Sequence, residues 1–188
     1  ARTINCIGNI RQIVSALNFY ADDNGDYFPL FRDGDGTGRY WINRLTDGKY
    51  APEPQWVDRS YAKTSRARPT IFRCPAEVQT NSGDYGVPIS WSAGQRDSYE
   101  KIFFDLHVKR GGVRRPSATL LLADAREYLS PGEERPAIWI YVSAESYYSP
   151  SPRHNGTAGI GFFDGHAATV RYADLRANTN NIFGKLNP

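Results

Sequence analysis

The chain of 188 residues has no methionine, only two cysteines and three histidines, and no long apolar run. A membrane-spanning helix needs about 18 or more consecutive apolar residues, so the residues given predict none. Because position 1 is alanine, we expect the chain to be part of a longer protein. The two cysteines, Cys6 and Cys74, are too far apart in sequence for the closely spaced pairs of a zinc motif.

Charge and catalytic motifs are also sparse. The formal net charge is only +3, and the basic residues form no continuous stripe, which argues against nucleic-acid binding. The sequence has no Gly-x-Ser-x-Gly elbow, no cysteine near a histidine, and no phosphate loop ending in Lys-Ser or Lys-Thr. These absences predict that the protein is not an enzyme.

The composition nevertheless predicts a folded protein. Hydrophobic residues make up 40% of the chain and aromatic residues 13%, enough for one domain, residues 1–188, with a sizeable core. From the residues alone, the two cysteines are either unpaired buried thiols or partners in one disulfide.

Residues 1–24 have the spacing of one long amphipathic helix. Apolar side chains recur every three or four residues at Ile4, Ile7, Ile10, Val14, Leu17 and Ala21. Cys6 falls near the edge of this stripe, so it is expected to face the body of the protein. Asn24-Gly25 is typical of a helix end, because glycine takes a left-handed conformation freely. An apolar face this wide needs a sheet to cover it.

The periodicity after residue 70 changes to that of β-strands. Strand candidates, bounded by Gly, Pro and Ser, are 70–75, 85–91, 102–108, 119–124, 137–142, 159–163 and 167–172. Pro88 in the second candidate indicates an edge strand or a bulge. Short helices are predicted at 40–45 and 174–177. One long helix followed by an antiparallel sheet in the region 70–172, with long loops, is an α+β fold.

The segment 21–38 is rich in aspartate and glycine. Asp33, Asp35 and Thr37 have the spacing of the start of a calcium loop, but Arg44 stands where an EF-hand needs glutamate. A calcium site of another kind is the alternative to a plain solvated loop. No other cofactor is expected.

The most distinctive stretch is 153–170, RHNGTAGIGFFDGHAATV. Two apolar runs joined by Asp164-Gly165 predict a β-hairpin with a two-residue type I′ turn, which needs a positive φ at both central residues. The same stretch holds His154 and His166 beside a carboxylate. Metal binding or catalysis by these side chains is therefore the alternative to a purely structural motif.

Hairpin geometry argues against a metal cluster of His154, Asp164, His166 and Asp124. Asp164 belongs to the turn, whereas His154 precedes the outgoing strand and lies well away from the tip, although it could reach Asp124. We therefore predict no metal ligands here. The preferred interpretation is a buried or half-buried His154 whose ring bonds a backbone group. Glycines in the outgoing strand then allow another segment to approach closely.

These features together resemble a family of prepilin-type proteins with a C-terminal His-x9-Asp-Gly domain. His154 is followed by nine residues and then by Asp164-Gly165. Further similarities occur in the same order along the chain: the segment 1–12 with Tyr20 and Phe28-Pro29, Phe-Arg-Cys-Pro at 72–75, and Pro-Ser to Ala-Asp at 116–124.

The resemblance implies a pilin-like fold and a structural pseudopilin-like subunit of a type II secretion or type IV pilus-like assembly. It implies a leader and an apolar half-helix before Ala1 that anchor the protein in the inner membrane. The head would lie in the periplasm or at the cell surface, with other pilin-like subunits and the secretion machinery as partners. That location implies a disulfide between Cys6 and Cys74, stabilising by roughly 3 kcal/mol or more.

Two other functions stay open at the level of sequence. The first is an extracytoplasmic head that binds glycan or protein through its aromatic loops, at Trp56, Trp91, Trp139, Tyr147 and Tyr148. The second is a metal-dependent hydrolase centred on His154, Asp164 and Asp124.

Overall fold

A computed structural model describes eight parts of the chain. They are residues 2–30, 40–52, 71–76, 85–89, 108–130, 133–136, 139–141 and 148–177. The Asp-rich loop at 31–39, with its calcium prediction at Asp33, Asp35 and Thr37, lies outside them. The strand predicted at 102–108 lies outside them as well, apart from Val108.

The described residues form an α+β arrangement. The helices are α1 (Arg2–Asp23), α2 (Trp41–Asp47) and α3 (Tyr172–Ala177). The strands are β1 (Tyr85–Ile89), β2 (Leu120–Ser130), β3 (Glu133–Pro136), β4 (Trp139–Tyr141), β5 (Tyr148–Pro150), β6 (Thr157–Phe162) and β7 (Ala167–Arg171). None of these helices combines the length and the apolar character needed to cross a membrane.

Helix α1 confirms the predicted N-terminal helix, and it ends where Gly25 takes a φ of 65°. Its buried face was only partly predicted. Ile4 is 76% exposed, because at 100° per residue it lies roughly 150° from the middle of the face that is buried. Cys6 lies near that middle and not at the edge. The buried residues are Cys6, Ile10, Ile13, Val14, Ala16, Leu17 and Ala21.

Strand β2 is the centre of the sheet. The strand order is β4-β1-β2-β6-β7, and β3 and β5 also pair with β2. All pairs are antiparallel, as predicted, except that β1 and β4 are parallel. Pro88 was predicted to mark an edge strand or a bulge. Strand β1 lies between β2 and β4 in the strand order, so it is not an edge over its whole length. Its pairing with β2 ends at Gly86, so Pro88, which has no N–H to donate, faces only β4 there.

The two faces of the β2-β6-β7 sheet carry separate apolar clusters. Helix α1 covers one face, where Ile10 and Val14 pack with Leu122. On the other face, Ile160 packs with Leu175 of α3. Glycines let α1 approach β6, as predicted. A Cβ at Gly161 would lie 2.4 Å from Val14 Cγ2, and one at Gly159 would lie 2.5 Å from Ile10 Cδ1.

The strand predicted at 70–75 was wrong, because the described residues 71–76 form turns. Pro75 cannot donate to a strand ladder. The segment is instead held by side chains: Asn9 Nδ2 donates to the Arg73 carbonyl at 2.8 Å, and Phe72 packs edge-to-face on Trp41 with ring centroids 6.0 Å apart. It therefore keeps Phe72 and Cys74 buried without belonging to the sheet.

The predicted hairpin is present between β6 and β7, but its turn differs. Of Asp164 and Gly165, only Gly165 has a positive φ, at 98°. Gly165 N donates to the Phe162 carbonyl at 3.0 Å and Phe162 N to the His166 carbonyl at 2.9 Å, which makes a three-residue loop. This is the loop in which a glycine in the left-handed region follows the turn, so the type I′ prediction at this position was wrong.

A tight turn with two positive φ angles does occur, nine residues earlier, at Asn155-Gly156. The φ angles are 53° and 79°, and His154 and Thr157 exchange two backbone hydrogen bonds across it. These are the requirements of a type I′ turn, for which Asn-Gly is the favoured pair. The turn brings His154 back beside the start of β6.

Candidate functional site

Four side chains from separate parts of the chain meet beneath α1. Cys6 comes from α1, Cys74 from the turn segment 71–76, Asp124 from β2 and His154 from the loop before β6. Their exposed fractions are 0%, 2%, 0% and 6%. One sulfur, oxygen or nitrogen atom of each lies within 4.8 Å of those of the others. We name these four residues the Cys-Asp-His cluster.

The contacts within the cluster are direct. Cys6 Sγ lies 3.2 Å from Asp124 Oδ1, and Cys74 Sγ lies 3.3 Å from His154 Nε2. The same His154 Nε2 is 3.3 Å from Asp124 Oδ2. The carboxylate of Asp124 therefore contacts both a thiol and an imidazole.

A surrounding layer of hydrogen bonds holds each of the four side chains. Tyr85 Oη donates to Cys6 Sγ at 3.3 Å, and the backbone N–H of Ala76 donates to Cys74 Sγ at 3.4 Å. Thr3 Oγ1 lies 3.3 Å from His154 Nδ1. The backbone N–H of Gly159 donates to Asp124 Oδ2 at 2.8 Å. Because these partners belong to α1, β1, β6 and the turn segment 71–76, they orient the cluster.

Local structure explains why these residues meet. Cys6 lies one turn before Ile10 on the buried face of α1. In β2, alternate side chains share a face, so Asp124 lies on the same side of the sheet as Leu122, which packs against α1. Gly159 has no side chain to fill the space between Asp124 and Ile10, and a Cβ there would lie 2.9 Å from Asp124 Oδ2.

The electrostatics of the two thiols differ. The hydrogen bond with Cys74, burial and the nearby Asp124 carboxylate all raise the pKa of Cys6. The same sulfur–sulfur hydrogen bond lowers the pKa of Cys74 to about 6, against the opposing effect of burial. Cys6 has one thiol hydrogen, which can point to Cys74 or to Asp124 Oδ1, and either orientation keeps Cys6 protonated.

The Asp124 carboxylate also contributes to the pKa shifts of His154 and Tyr85. Its hydrogen bond raises the pKa of His154, although burial acts in the opposite direction. Burial raises the pKa of Tyr85, and the neighbouring Cys6 and Asp124 raise it further. The cluster thus favours the protonated form of the His154 ring more than water does, and Tyr85 remains a neutral donor.

The sequence prediction for His154 was partly right. The residue is buried, but its ring contacts side chains and not a backbone group. It does reach Asp124, as the sequence allowed. Asp164 and His166 do not join it: they form their own pair at the exposed hairpin turn, 2.5 Å apart. Although burial acts against it, hydrogen bonds from His166 hold the pKa of Asp164 below its ordinary value.

The sequence did not predict that both cysteines lie beside His154 and Asp124. The signal was weak, because the four residues are separated by long stretches and Cys74 lies outside any regular element. The two sulfur atoms lie within 4.8 Å of each other as thiols, so the disulfide between Cys6 and Cys74 stays a prediction. Thr3 and Tyr85, which hold His154 and Cys6, carried no signal in the sequence.

Comparisons with family models, with curated proteins and with solved structures give no match for this chain.

The chemistry of the cluster is that of a closed site. Thiolate, imidazole and carboxylate are the ligands that transition metals of intermediate softness take in proteins. All four side chains are buried, with exposed fractions of 0–6%, which is the environment of a structural site with four protein ligands.

Proposed function

We propose that the protein is a structural, pilin-like subunit of a type II secretion or type IV pilus-like assembly, with no catalytic activity of its own. The observation that carries this proposal is the packing of α1 on the sheet. One face of this long helix is buried against β6 and β2 through Gly159 and Gly161, while Ile4 and Phe19 on its outer side are 76% and 60% exposed.

The His-x9-Asp-Gly motif supports the same proposal in structural terms. His154 is buried where α1 crosses the start of β6, and Gly165 closes the β6-β7 hairpin with a φ of 98°. Each end of the motif thus has a fixed position in the fold, and a structural role is enough to explain both ends. A motif of this kind would preserve the attachment of the helix to the sheet.

In this proposal an apolar segment before Ala1 continues α1 into the inner membrane and then into the core of a filament. The sheet and loops form a head in the periplasm or at the cell surface. Neighbouring copies or related subunits would contact the exposed side of α1, where Ile4 and Phe19 offer apolar surface.

The alternatives have less support. A hydrolase centred on His154, Asp164 and Asp124 needs these residues together, but Asp164 lies at the exposed turn with His166. For a glycan-binding or protein-binding head, Trp56, Trp91 and Tyr147 lie outside the described residues, and so do the side chains of Trp139 and Tyr148.

The test is the natural protein that contains this chain. We expect a short basic leader, a glycine before a cleavage point and about 20 apolar residues directly before Ala1. The tagged protein, expressed in its own cells, should fractionate with the inner membrane and shorten when the prepilin peptidase is present. A reading frame that begins with a methionine shortly before Ala1 and has no apolar segment would refute the proposal.

A further inference from the structure

We propose that Cys6, Cys74, Asp124 and His154 bind one divalent transition-metal ion, zinc by preference, in a closed four-coordinate structural site. The sequence predicted no metal here, because its ligands come from four distant segments and not from a compact motif. The site would fasten α1 to the turn segment 71–76, to β2 and to the loop before β6. It does not depend on the proposed filament role.

The distances in the cluster fit a tetrahedral ion. With ligand bonds of about 2.0–2.3 Å, the edges of a tetrahedron are roughly 3.3–3.8 Å. Cys6 Sγ lies 3.2 Å from Asp124 Oδ1, Cys74 Sγ lies 3.3 Å from His154 Nε2, and His154 Nε2 lies 3.3 Å from Asp124 Oδ2. The two carboxylate oxygens thus face different ligands, and one of them must turn toward the shared ion. Since all of the donor atoms lie within 4.8 Å of one another, small side-chain movements are enough to place one ion among them.

The groups around the cluster are those that tune a metal site. Nδ1 of His154 lies 3.3 Å from Thr3 Oγ1, which leaves Nε2 directed at Cys74 and Asp124. Each sulfur accepts a hydrogen bond, from Tyr85 Oη or from Ala76 N. Such outer contacts orient the ligands of a metal and are part of the site in metalloproteins.

Charge favours a divalent cation. Two thiolates and one carboxylate carry three negative charges, and a divalent ion with a neutral imidazole leaves one. The guanidinium of Arg153 lies beside the site: it donates to the Ala125 carbonyl at 2.6 Å, and its positive charge acts on Cys74. Metal binding would release to solvent whichever protons Cys6, Cys74 and the Nε2 atom of His154 hold, because the ion takes two thiolates and a neutral imidazole.

The donor set selects the class of metal. Two sulfur atoms and an imidazole disfavour calcium and magnesium, which take oxygen ligands. They suit zinc, for which four protein ligands and no open position define a structural site. The burial of the cluster agrees with this, because its four side chains are only 0–6% exposed.

The disulfide predicted from the family resemblance uses the same two sulfur atoms. A disulfide and a metal thiolate site therefore exclude each other. The structure shows two separate thiols, each with its own partners, and the metal site is proposed for this reduced state. If the cysteines oxidise, the site is lost.

The decisive experiment is a zinc titration of the 188-residue protein, reduced with a phosphine, stripped with EDTA and desalted. We expect uptake of one zinc ion per chain by native mass spectrometry. The thermal midpoint should rise by roughly 5 °C or more once free zinc exceeds its Kd about a hundredfold. Cobalt(II) in place of zinc should give the visible absorption of a tetrahedral ion together with a sulfur-to-cobalt charge-transfer band.

Two histidine variants form a matched pair. His154→Ala should weaken zinc binding by about a hundredfold or more, since even outer-shell changes cost ten- to a hundredfold. His166→Ala removes a histidine that is also paired with an aspartate but lies at the exposed turn, and binding should not change. Cys74→Ser should abolish the charge-transfer contribution of that sulfur.

Each contrary result is informative. Failure of the reduced wild-type protein to take up zinc or cobalt would overturn the proposal, and this measurement needs no variant to fold. Cobalt binding without a sulfur charge-transfer band would place the metal elsewhere, and so would equal zinc affinity in the wild type and in His154→Ala. Formation of a Cys6–Cys74 disulfide while zinc is saturating would also contradict the site.

Discussion

Two of the polar attachments of helix α1 to the rest of the protein have opposite character. In its first half, Cys6 enters the buried Cys-Asp-His cluster. At its C-terminal end, the guanidinium of Arg110 bonds Asp22 at 2.7 Å and Asp26 at 2.8 Å, and these side chains remain 33%, 54% and 32% exposed. We name this second group the Arg110 network.

The two attachments differ in how much each polar contact contributes to the free energy of unfolding. Charges of the Arg110 network are solvated and screened, so each ion pair is worth about 0–1 kcal/mol. The four side chains of the Cys-Asp-His cluster are almost fully buried, so the loss of one leaves its buried neighbours without a partner. We therefore expect the first attachment to be sensitive to single substitutions and the second to tolerate them.

The largest effect is expected for Asp124→Ala. This change leaves the backbone N–H of Gly159, the Cys6 thiol and the His154 ring without their shared partner. The free energy of unfolding should fall by about 3 kcal/mol or more. Urea denaturation measures it, with Asp22→Ala of the Arg110 network as the matched control, for which about 1 kcal/mol or less is expected. Equal losses would contradict the contrast.

The next effect is expected at the contact between α1 and β6. Gly161→Ala places a Cβ 2.4 Å from Val14 Cγ2, so helix and strand must separate, at a cost of about 1–3 kcal/mol. The control is Gly8→Ala in α1, the helix that contains Val14. Nothing lies within 4 Å of its new Cβ, and alanine should stabilise the helix by roughly 0.5–1 kcal/mol. Thermal unfolding of the two variants should therefore shift in opposite directions.

His154→Ala should cost about 1–3 kcal/mol in metal-free, reduced protein, because Asp124 and Cys74 lose a buried partner. His166→Ala, which removes a half-exposed ring stacked on Phe162 at 4.1 Å, should change stability by about 0.5 kcal/mol. Chemical denaturation under chelation gives both values. A silent His154→Ala variant would show that the buried histidine does not hold the loop.

The smallest effect is a pH dependence in the Arg110 network. The hydrogen bond from the Gly111 backbone N–H and the ion pair with Arg110 lower the pKa of Asp26, against partial desolvation. A carboxylate with a lowered folded-state pKa contributes stability above the ordinary pKa of about 4, and loses it as pH falls through the lowered value. Asp26→Asn should therefore lower Tm at pH 7 and have less effect at about pH 2.

The control for Asp26→Asn is Asp174→Asn. Asp174 pairs with Arg171 in a more exposed ion pair, with side-chain exposures of 43% and 76%. We expect little change in Tm at either pH. A larger pH dependence for Asp174→Asn than for Asp26→Asn would show that the contacts of Asp26 with Gly111 and Arg110 do not set its contribution.

The sequence predicted the elements of the fold better than their junctions. Helix α1 repeats an apolar period over 22 residues, so it could be predicted. Strands β6 and β7 are short, but they are apolar runs on the two sides of a turn signal. The strand at 70–75 could not be excluded, because Phe72 and Cys74 alternate as in a strand although Asn9 and Trp41 hold them from outside the sheet. The type I′ turn was assigned to Asp164-Gly165 but lies at Asn155-Gly156, because both pairs suit such a turn and the dipeptide alone does not distinguish them.

The candidate site was predictable only in part. His154 and Asp124 were identified as residues that could meet, because a motif drew attention to the first and a strand end to the second. Their joining with Cys6 and Cys74 depends on how α1 crosses the sheet and how the 71–76 turn lies against it. These are contacts over more than 60 residues of sequence, such as the bond from Asn9 to Arg73, and no local pattern encodes them.

The central claim is that the buried Cys-Asp-His cluster, and not the Arg110 network, fixes α1 to the sheet. A pair of double-mutant cycles in reduced, chelated protein tests it most directly: Cys6→Ala with Asp124→Ala, and Asp22→Ala with Arg110→Ala. The coupling energy of the first pair should be about 1 kcal/mol or more, and that of the second about 0.5 kcal/mol or less. A first coupling no larger than the second would contradict the claim.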